Sequence, residues 1–434
     1  MIEFSQMMKN IYVKKSKLRG KVSLPSSKSL SMRAIFFAAM ACGESIIHNV
    51  LCSPDIEAAL QAVKLLGARI ERFGNSLQIQ GVAGKTDCAG VLNVANSGIV
   101  LRFMSALSAL SKNTTKIHGD ASANARPMKE LIKALEQRGV HCKSSNGFAP
   151  LEIQGPMKPG FVKLSGHDSQ PVSALLMAMV FLEADSEIYV ENPGEIPWVR
   201  MTLDWFKRLE LKVDVSKTSD DVLHFYVKGS QNVKAFEYTV PGDWSSAAFL
   251  LQAAVCSQSE ICIENIDLSA LQGDKKLLDH LQRMGLSYQL DASKKELLVD
   301  GSKALKGASI DINDCIDSVA TLAVLACFAE GTTEIHNAAV ARQKECDRLA
   351  CLDLELKKMG ANISQREDGL VIHSSSLRPA RVFSHHDHRL AMALCVAGLG
   401  IEGTSLVEET QCCNKSFPNF FNCLKGLGAD LHGK

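Results

Sequence analysis

Hydrophobic and polar positions along this chain alternate between two kinds of helix-forming segment. One kind is apolar on nearly every face: 29-SLSMRAIFFAAMA-41, 97-SGIVLRFMSALSAL-110, 169-SQPVSALLMAMVF-181, 245-SSAAFLLQAAVC-256, 317-DSVATLAVLACFA-329 and 387-DHRLAMALCVAGL-399. Helices with this composition belong inside a large core. The other kind is charged and amphipathic, as in 54-PDIEAALQAVKLLG-67 and 348-RLACLDLELKKMG-360, and predicts a solvent-facing helix. The charged segments end at Gly67, Gly139, Glu210, Gly285, Gly360 and Gly428, separated by 72, 71, 75, 75 and 68 residues. Glycine closes a helix because it enters the left-handed region without a steric penalty, so even spacing of such stops marks a repeat. Short runs such as 76-SLQIQG-81, 223-LHFYVKG-229 and 296-ELLVD-300 read as strands. Each period of about 70 residues therefore holds a strand, a buried helix, a strand, a surface helix and a hairpin. Six such periods exceed one compact core, which divides them three and three.

The buried helices begin in polar residues: Ser27, Lys28 and Ser29; Asn96, Ser97 and Gly98; Asp168, Ser169 and Gln170; Asp243, Ser245 and Ser246; Asn313, Asp314 and Asp317; His385, His386, Asp387, His388 and Arg389. Capping accounts for the serines, asparagines and aspartates. It does not account for Lys28 or Arg389, because a cation at a helix N-terminus opposes the macrodipole unless an anion lies between them. Arg33 and Arg102 stand one turn inside apolar helices and require buried anionic partners. Further cations precede the surface helices: Arg126, followed by Pro127 at the first helical position, then Lys344 and Arg348, four apart and so on one face, and Lys415. This distribution predicts ligands carrying several negative charges, with Asp317 and Glu345 as the candidates for proton transfer.

Composition narrows the reading. With 48 basic and 47 acidic residues among 434, no field of one sign points to nucleic acid or an anionic membrane. The 14 cysteines lie scattered in apolar runs, without paired CxxC elements, as expected of reduced thiols. Nothing in the first 20 residues reads as a secretory signal, and runs such as 174-ALLMAMVFL-182 reach about half a membrane span, so a soluble cytoplasmic protein is expected. His385, His386 and His388 lack a matching ligand set, and no metal is expected. No nucleotide or dinucleotide loop is present, 26-SSKS-29 being too short for one.

The stretch 25-PSSKSLSMR-33 resembles the N-terminal signature of the EPSP synthase family, the 3-phosphoshikimate 1-carboxyvinyltransferases. So do 96-NSGIVLR-102, 124-NARPM-128, 168-DSQPVSALLMA-178, 241-PGDWSSAAFLL-251, 313-NDCIDSVATLAV-324, 344-KECDRL-349, 387-DHRLAM-392 and 415-KSFPNFF-421, in family order across nearly the whole chain. The fold this implies is α/β (α+β): a two-lobed inside-out α/β barrel, each lobe of three βαβαββ units. Residues 21–241 would form the first lobe, residues 1–20 with 242–434 the second, and the active site would lie in the interlobe cleft, which would close when filled. The implied reaction moves the enolpyruvyl group of phosphoenolpyruvate to the 5-hydroxyl of shikimate 3-phosphate, without a metal or organic cofactor; the balanced charge and the lack of an evident docking helix predict a monomer that binds only small molecules.

Carried over by resemblance, Lys28, Ser29, Arg33, Ser169, Gln170, Asp317 and Lys344 hold shikimate 3-phosphate. Lys28, Asn96, Gly98, Arg126, Gln170, Arg348, Arg389 and Lys415 surround phosphoenolpyruvate. Asp317 takes the proton of the attacking hydroxyl, while Glu345 and Lys28 share the remaining proton transfers. The chain departs from the family pattern at Ser26, Met32, Asp168, Ile99 and Phe103, and most notably at Glu195 and Trp198, where a serine and a tyrosine beside the shikimate phosphate are expected. Two other readings were weighed. Transfer to a UDP-linked amino sugar would want a cysteine in the segment 111–126, which has none; an inactive scaffold would have lost Lys28, Asp317 or Glu345, all of which remain.

Overall fold

The computed structural model describes residues 9–219 and 221–433. The chain splits into two compact units, Ser26–Val240 and Met1–Pro25 with Pro241–Lys434. Each unit contains three four-stranded sheets. The apolar segments are buried helices: Lys28–Met40, Gly98–Ser108 and Ser169–Met179 in the first unit, Trp244–Cys256, Val319–Phe328 and His388–Gly398 in the second. In the first unit Phe36 meets Phe103 edge-on at 5.4 Å, and Phe37 stacks on Trp205 at 5.6 Å, joining buried helices to the amphipathic Ile196–Arg208. Each such ring contributes roughly 1.5–3 kcal/mol through removal from water.

One repeat shows how the sequence builds its sheet. Gly90–Asn93 runs parallel to Thr114–His118, with the buried helix Gly98–Ser108 as the crossover; the hairpin His141–Ser145 and Phe148–Gln154 follows and pairs back antiparallel. A parallel pair requires such a crossover, and an antiparallel pair only a turn. The six predicted helix stops all lie in the left-handed region, from Glu210 at φ 57° and Gly139 at 78° to Gly285 at 106°. Glu210 is the one place where a residue with a side chain takes the conformation glycine takes in the other five.

The connections between units depart from simple succession. Strand Arg19–Ser23 leads into the helix Lys28–Met40 of the first unit, yet pairs in parallel with Glu260–Glu264 of the second. Strand Glu237–Thr239 leads into Trp244–Cys256 of the second unit, yet pairs in parallel with Glu44–His48 of the first. The sixth sheet is completed from the start of the chain, Asn10–Lys14 lying between Thr404–Glu408 and Leu431–Gly433. This pairing moves the first boundary from the expected residue 21 to Pro25, because Arg19–Ser23 hydrogen-bonds into the second unit; the other boundary falls at Val240, one residue early.

Two local expectations fail. Pro127 does not open a helix: a short turn, Ala121–Asn124, comes first and the helix is Lys129–Glu136. Lys344 shares no helical face with Arg348, because it ends a separate 3-10 turn, Ala339–Gln343, and the α-helix begins at Arg348 with Asp347 as its cap. Among the described residues, no helix is long and apolar enough to cross a membrane.

Candidate active site

Helix starts place the candidate groups of the unit Ser26–Val240. The first buried helix has Ser27 as N-cap residue, but its hydroxyl caps nothing and is buried without a hydrogen-bond partner. Lys28 follows, its Nζ 3.3 Å from Asp55 Oδ2; Asp55 stands in the first turn of Pro54–Leu65. One turn on, Arg33 is buried and donates to the Thr202 hydroxyl at 3.0 Å and to the carbonyls of Ser29 and Trp198 at 3.1 and 2.9 Å. These partners are all neutral, and burial pulls its pKa down to about 10. The expected anionic partner of Arg33 is thus replaced by carbonyls and a hydroxyl.

Arg102 does have a carboxylate, Asp168 at 3.2 Å, and also reaches the carbonyl of Pro127 at 3.1 Å. Desolvation lowers its pKa even so, with Arg126 adding to the effect. The start of Gly98–Ser108 has no room for a side chain: a Cβ at Gly98 would lie 2.5 Å from Arg126 Nη1, so glycine lets that guanidinium approach the backbone. Asn96 donates to Asp120 at 2.7 Å. Asp168 caps the third buried helix through the Gln170 amide at 3.0 Å, while the Gln170 carboxamide oxygen is buried without a partner.

Glu195 turns inward. With a left-handed backbone (φ 48°) and 2% exposure, its Oε2 accepts from the Ser169 amide at 3.1 Å and the Ser169 hydroxyl at 2.9 Å. A carboxylate therefore already sits on the helix N-terminus and the hydroxyl expected to receive a phosphate.

In the second unit the candidates form an ion-pair network around Arg348, which is 1% exposed and donates to Asp387 at 2.8 Å, Asp317 at 2.9 Å and Glu345 at 2.7 Å. Arg389 reaches the other oxygen of Asp317 at 2.7 Å, and Lys415 the other oxygen of Glu345 at 2.7 Å. Burial pushes the Asp317 carboxyl up, but Arg389, Arg348 and Lys344 outweigh it and hold the group well below the ordinary carboxylate range. Burial likewise opposes the charge of Arg348, and its three carboxylates raise it well above its usual value. Asp317 lies in the 3-10 turn Asn313–Ser318, kinked at Cys315, just before Val319–Phe328. Glu345, Asp387 and His388 present ligand atoms within 4.8 Å of one another, but the guanidinium of Arg348 already supplies the positive charge between the two acids.

The sequence reading thus gathers Lys28, Ser29, Arg33, Asn96, Gly98, Arg126, Ser169 and Gln170 at helix starts of one unit, and Asp317, Lys344, Glu345, Arg348, Arg389 and Lys415 around one cluster of the other. It missed Asp55, Asp274 and the central part of Asp387. Asp55 is legible as an acid in the first turn after Ser53-Pro54, a position that also suits the helix dipole and so conceals its pairing with Lys28.

Residues 13–424 match the family profile described as EPSP synthase (3-phosphoshikimate 1-carboxyvinyltransferase). A 3-phosphoshikimate 1-carboxyvinyltransferase of Chlamydia trachomatis serovar L2 is 39% identical over 417 residues, covering 95% of this chain and 93% of that one. One from Acetivibrio thermocellus is 36% identical over 422 residues, covering 96% and 98%. Among solved structures, an EPSP synthase from Acinetobacter baumannii superposes with a TM-score of 0.79 at 26% identity, covering 98% of this chain and 99% of that one.

Proposed function

The chain belongs to the EPSP synthase (3-phosphoshikimate 1-carboxyvinyltransferase) family, and from that premise we propose which of its side chains carry the reaction. The reaction transfers the enolpyruvyl group of phosphoenolpyruvate to the 5-hydroxyl of shikimate 3-phosphate and releases phosphate, a step in the biosynthesis of chorismate and the aromatic amino acids. Asp317 takes the proton of the 5-hydroxyl as its oxygen bonds to C2 of phosphoenolpyruvate. A proton is delivered to C3, giving a tetrahedral adduct; loss of the C–O bond to phosphate and of a C3 proton then restores the double bond. Lys28 and Glu345 handle those two transfers.

The observation that carries this assignment is the state of the helix starts. Four of the six buried helices are capped by a side chain: Ser97, Asp168, Asp243 and Asp387. The two without such a cap begin after Ser27 and Ser318, next to Lys28 and Asp317. Where a capping bond is given up, the neighbouring groups serve something else. Buried polar atoms without partners at Ser27, Arg102 and Arg389 point the same way, since a ligand's carboxylate or phosphate oxygens would accept from them, while the Gln170 carboxamide oxygen would accept from a ligand hydroxyl. On this reading Ser29, Arg33, Ser169, Gln170 and Lys344 bind shikimate 3-phosphate, while Asn96, Gly98, Arg126, Arg348, Arg389 and Lys415 bind phosphoenolpyruvate. Preorganised cations neutralise the phosphate and carboxylate groups of two polyanions and hold them together for the addition, without a metal or organic cofactor.

Phosphate release and enolpyruvyl product formation from shikimate 3-phosphate and phosphoenolpyruvate test the reading. Absence of turnover, with turnover on a UDP-linked amino sugar, would overturn it. The balanced charge supports a cytoplasmic monomer that acts on small molecules, without nucleic acid or membrane partners, and sedimentation equilibrium checks the monomer.

A further inference from the structure

Asp274 lies outside the substrate-binding and proton-transfer residues, in the 3-10 turn Gly273–Lys275 before the amphipathic helix Lys276–Arg283. It is 2% exposed. Its Oδ1 accepts from the Ser318 hydroxyl at 2.9 Å and its Oδ2 from the Ser245 hydroxyl. Ser245 belongs to the first turn of Trp244–Cys256, and Ser318 immediately precedes Val319–Phe328. One carboxylate therefore ties together the starts of two buried helices. It also explains why Ser318 caps nothing, because that hydroxyl is spent on Asp274 instead of its own helix.

Ser318 is the residue after Asp317, so whatever fixes Ser318 fixes the backbone that aims Asp317. The charged and titratable groups acting on Asp274 are Asp317 and Arg389, with Cys315 from the same kinked turn. Lys276, on the adjoining helix, is paired away with Asp314 at 2.6 Å. We propose that Asp274 is a positioning residue for Asp317: its carboxylate clasps the two helix starts beside the backbone that carries Asp317, and its negative charge opposes the pull of the guanidinium groups on that side chain. This rests on the reading of Asp317 as the base. Arg389, Arg348 and Lys344 hold Asp317 well below the ordinary carboxylate range, and a second buried anion nearby offsets part of that pull. The effect is mutual: burial and the Asp317 charge push the Asp274 carboxyl up to about 6.

Asp274→Asn tests this directly, because a carboxamide can accept from one serine and donate to the other, retaining the clasp while deleting the charge. Native kcat should fall on the acid side with a midpoint near pH 6, as Asp274 takes a proton. In Asp274→Asn kcat drops about tenfold at pH 7.5, that acid limb disappears, and KM for both substrates stays within about twofold. Asp274→Glu, which keeps the charge, restores the limb. A native kcat and limb in Asp274→Asn would overturn the proposal, and so would a lowered kcat with the limb intact, since that marks a merely structural role. Carboxyl-carbon NMR gives a readout independent of turnover: a buried group titrating near pH 6 that is missing in Asp274→Asn, with the Asp317 transition moved lower. Were the native protein to turn over neither substrate, the assigned reaction would fail, while this titration would still support or refute the coupling of the two carboxylates.

Discussion

Two buried arginines, Arg33 in one unit and Arg348 in the other, keep their charge in opposite ways. In Ser26–Val240, Arg33 rests on carbonyls and a hydroxyl, and burial alone acts on its charge. In the second unit Arg348 is clasped by three carboxylates, two of them shared with Arg389 and Lys415. A guanidinium on neutral acceptors retains a strong field for an incoming anion. One in a closed network has its field cancelled locally and instead controls the proton affinity of its neighbours. The first arrangement suits anion binding alone; the second, whose cations also face phosphoenolpyruvate on the proposed reading, suits proton transfer as well.

The largest effect that would break this comparison is at Arg348. Arg348→Met leaves Asp317, Glu345 and Asp387 facing one another and should cost about 3–5 kcal/mol in denaturant unfolding. Arg33→Met, which strands only neutral acceptors, should cost about 1–3 kcal/mol, so equal losses would show that the networks do not differ. Next comes Asp317→Asn, expected to lower kcat by about 10²–10⁴ while calorimetry still detects shikimate 3-phosphate. Unimpaired turnover would remove Asp317 from the base role. Asp274→Asn follows, with a sign set by linkage: its folded pKa of about 6 lies above the ordinary carboxylate value, so the native state loses stability as pH rises through that interval. The variant should therefore match the native protein below about pH 4 and exceed it by on the order of 1–3 kcal/mol at pH 7.5, read from unfolding midpoints. The smallest effect is at Glu195. Replacing it by serine frees the Ser169 amide and hydroxyl and should tighten shikimate 3-phosphate about tenfold, close to 1.4 kcal/mol, leaving the KM of phosphoenolpyruvate unchanged.

The repeat was legible because it is written locally. A left-handed stop after each surface helix is a single-residue requirement, and five glycines meet it; Glu210 could be placed only by their spacing. The identity of the buried helices followed from composition in the same way. Partner choice was not legible. Nothing within Arg19–Ser23 indicates that it pairs with Glu260–Glu264 and not with the strand following its own helix, because pairing is fixed by long-range geometry. The candidate site divides similarly. Lys28 and Arg389 stood out because they violate the helix dipole, whereas Asp55 and Asp274 obey local rules and so carried no signal. Ser27 reads as a cap by every local criterion, and only the folded chain shows its hydroxyl uncommitted. Glu195, the sharpest departure from the family pattern, turns inward onto Ser169 through a left-handed backbone that no neighbouring residue type announces.

The swapped strands impose an order on biosynthesis. As the chain leaves the ribosome, Asn10–Lys14 and Arg19–Ser23 emerge first but find their partners only after Glu260–Glu264, Thr404–Glu408 and Leu431–Gly433 have been made. The middle of the gene product, Ser26–Val240, has all its strands once Glu237–Thr239 is out. The nascent polypeptide thus completes Ser26–Val240 while Arg19–Ser23 still waits, and the late strand Leu431–Gly433 joins a sheet with the early strand Asn10–Lys14.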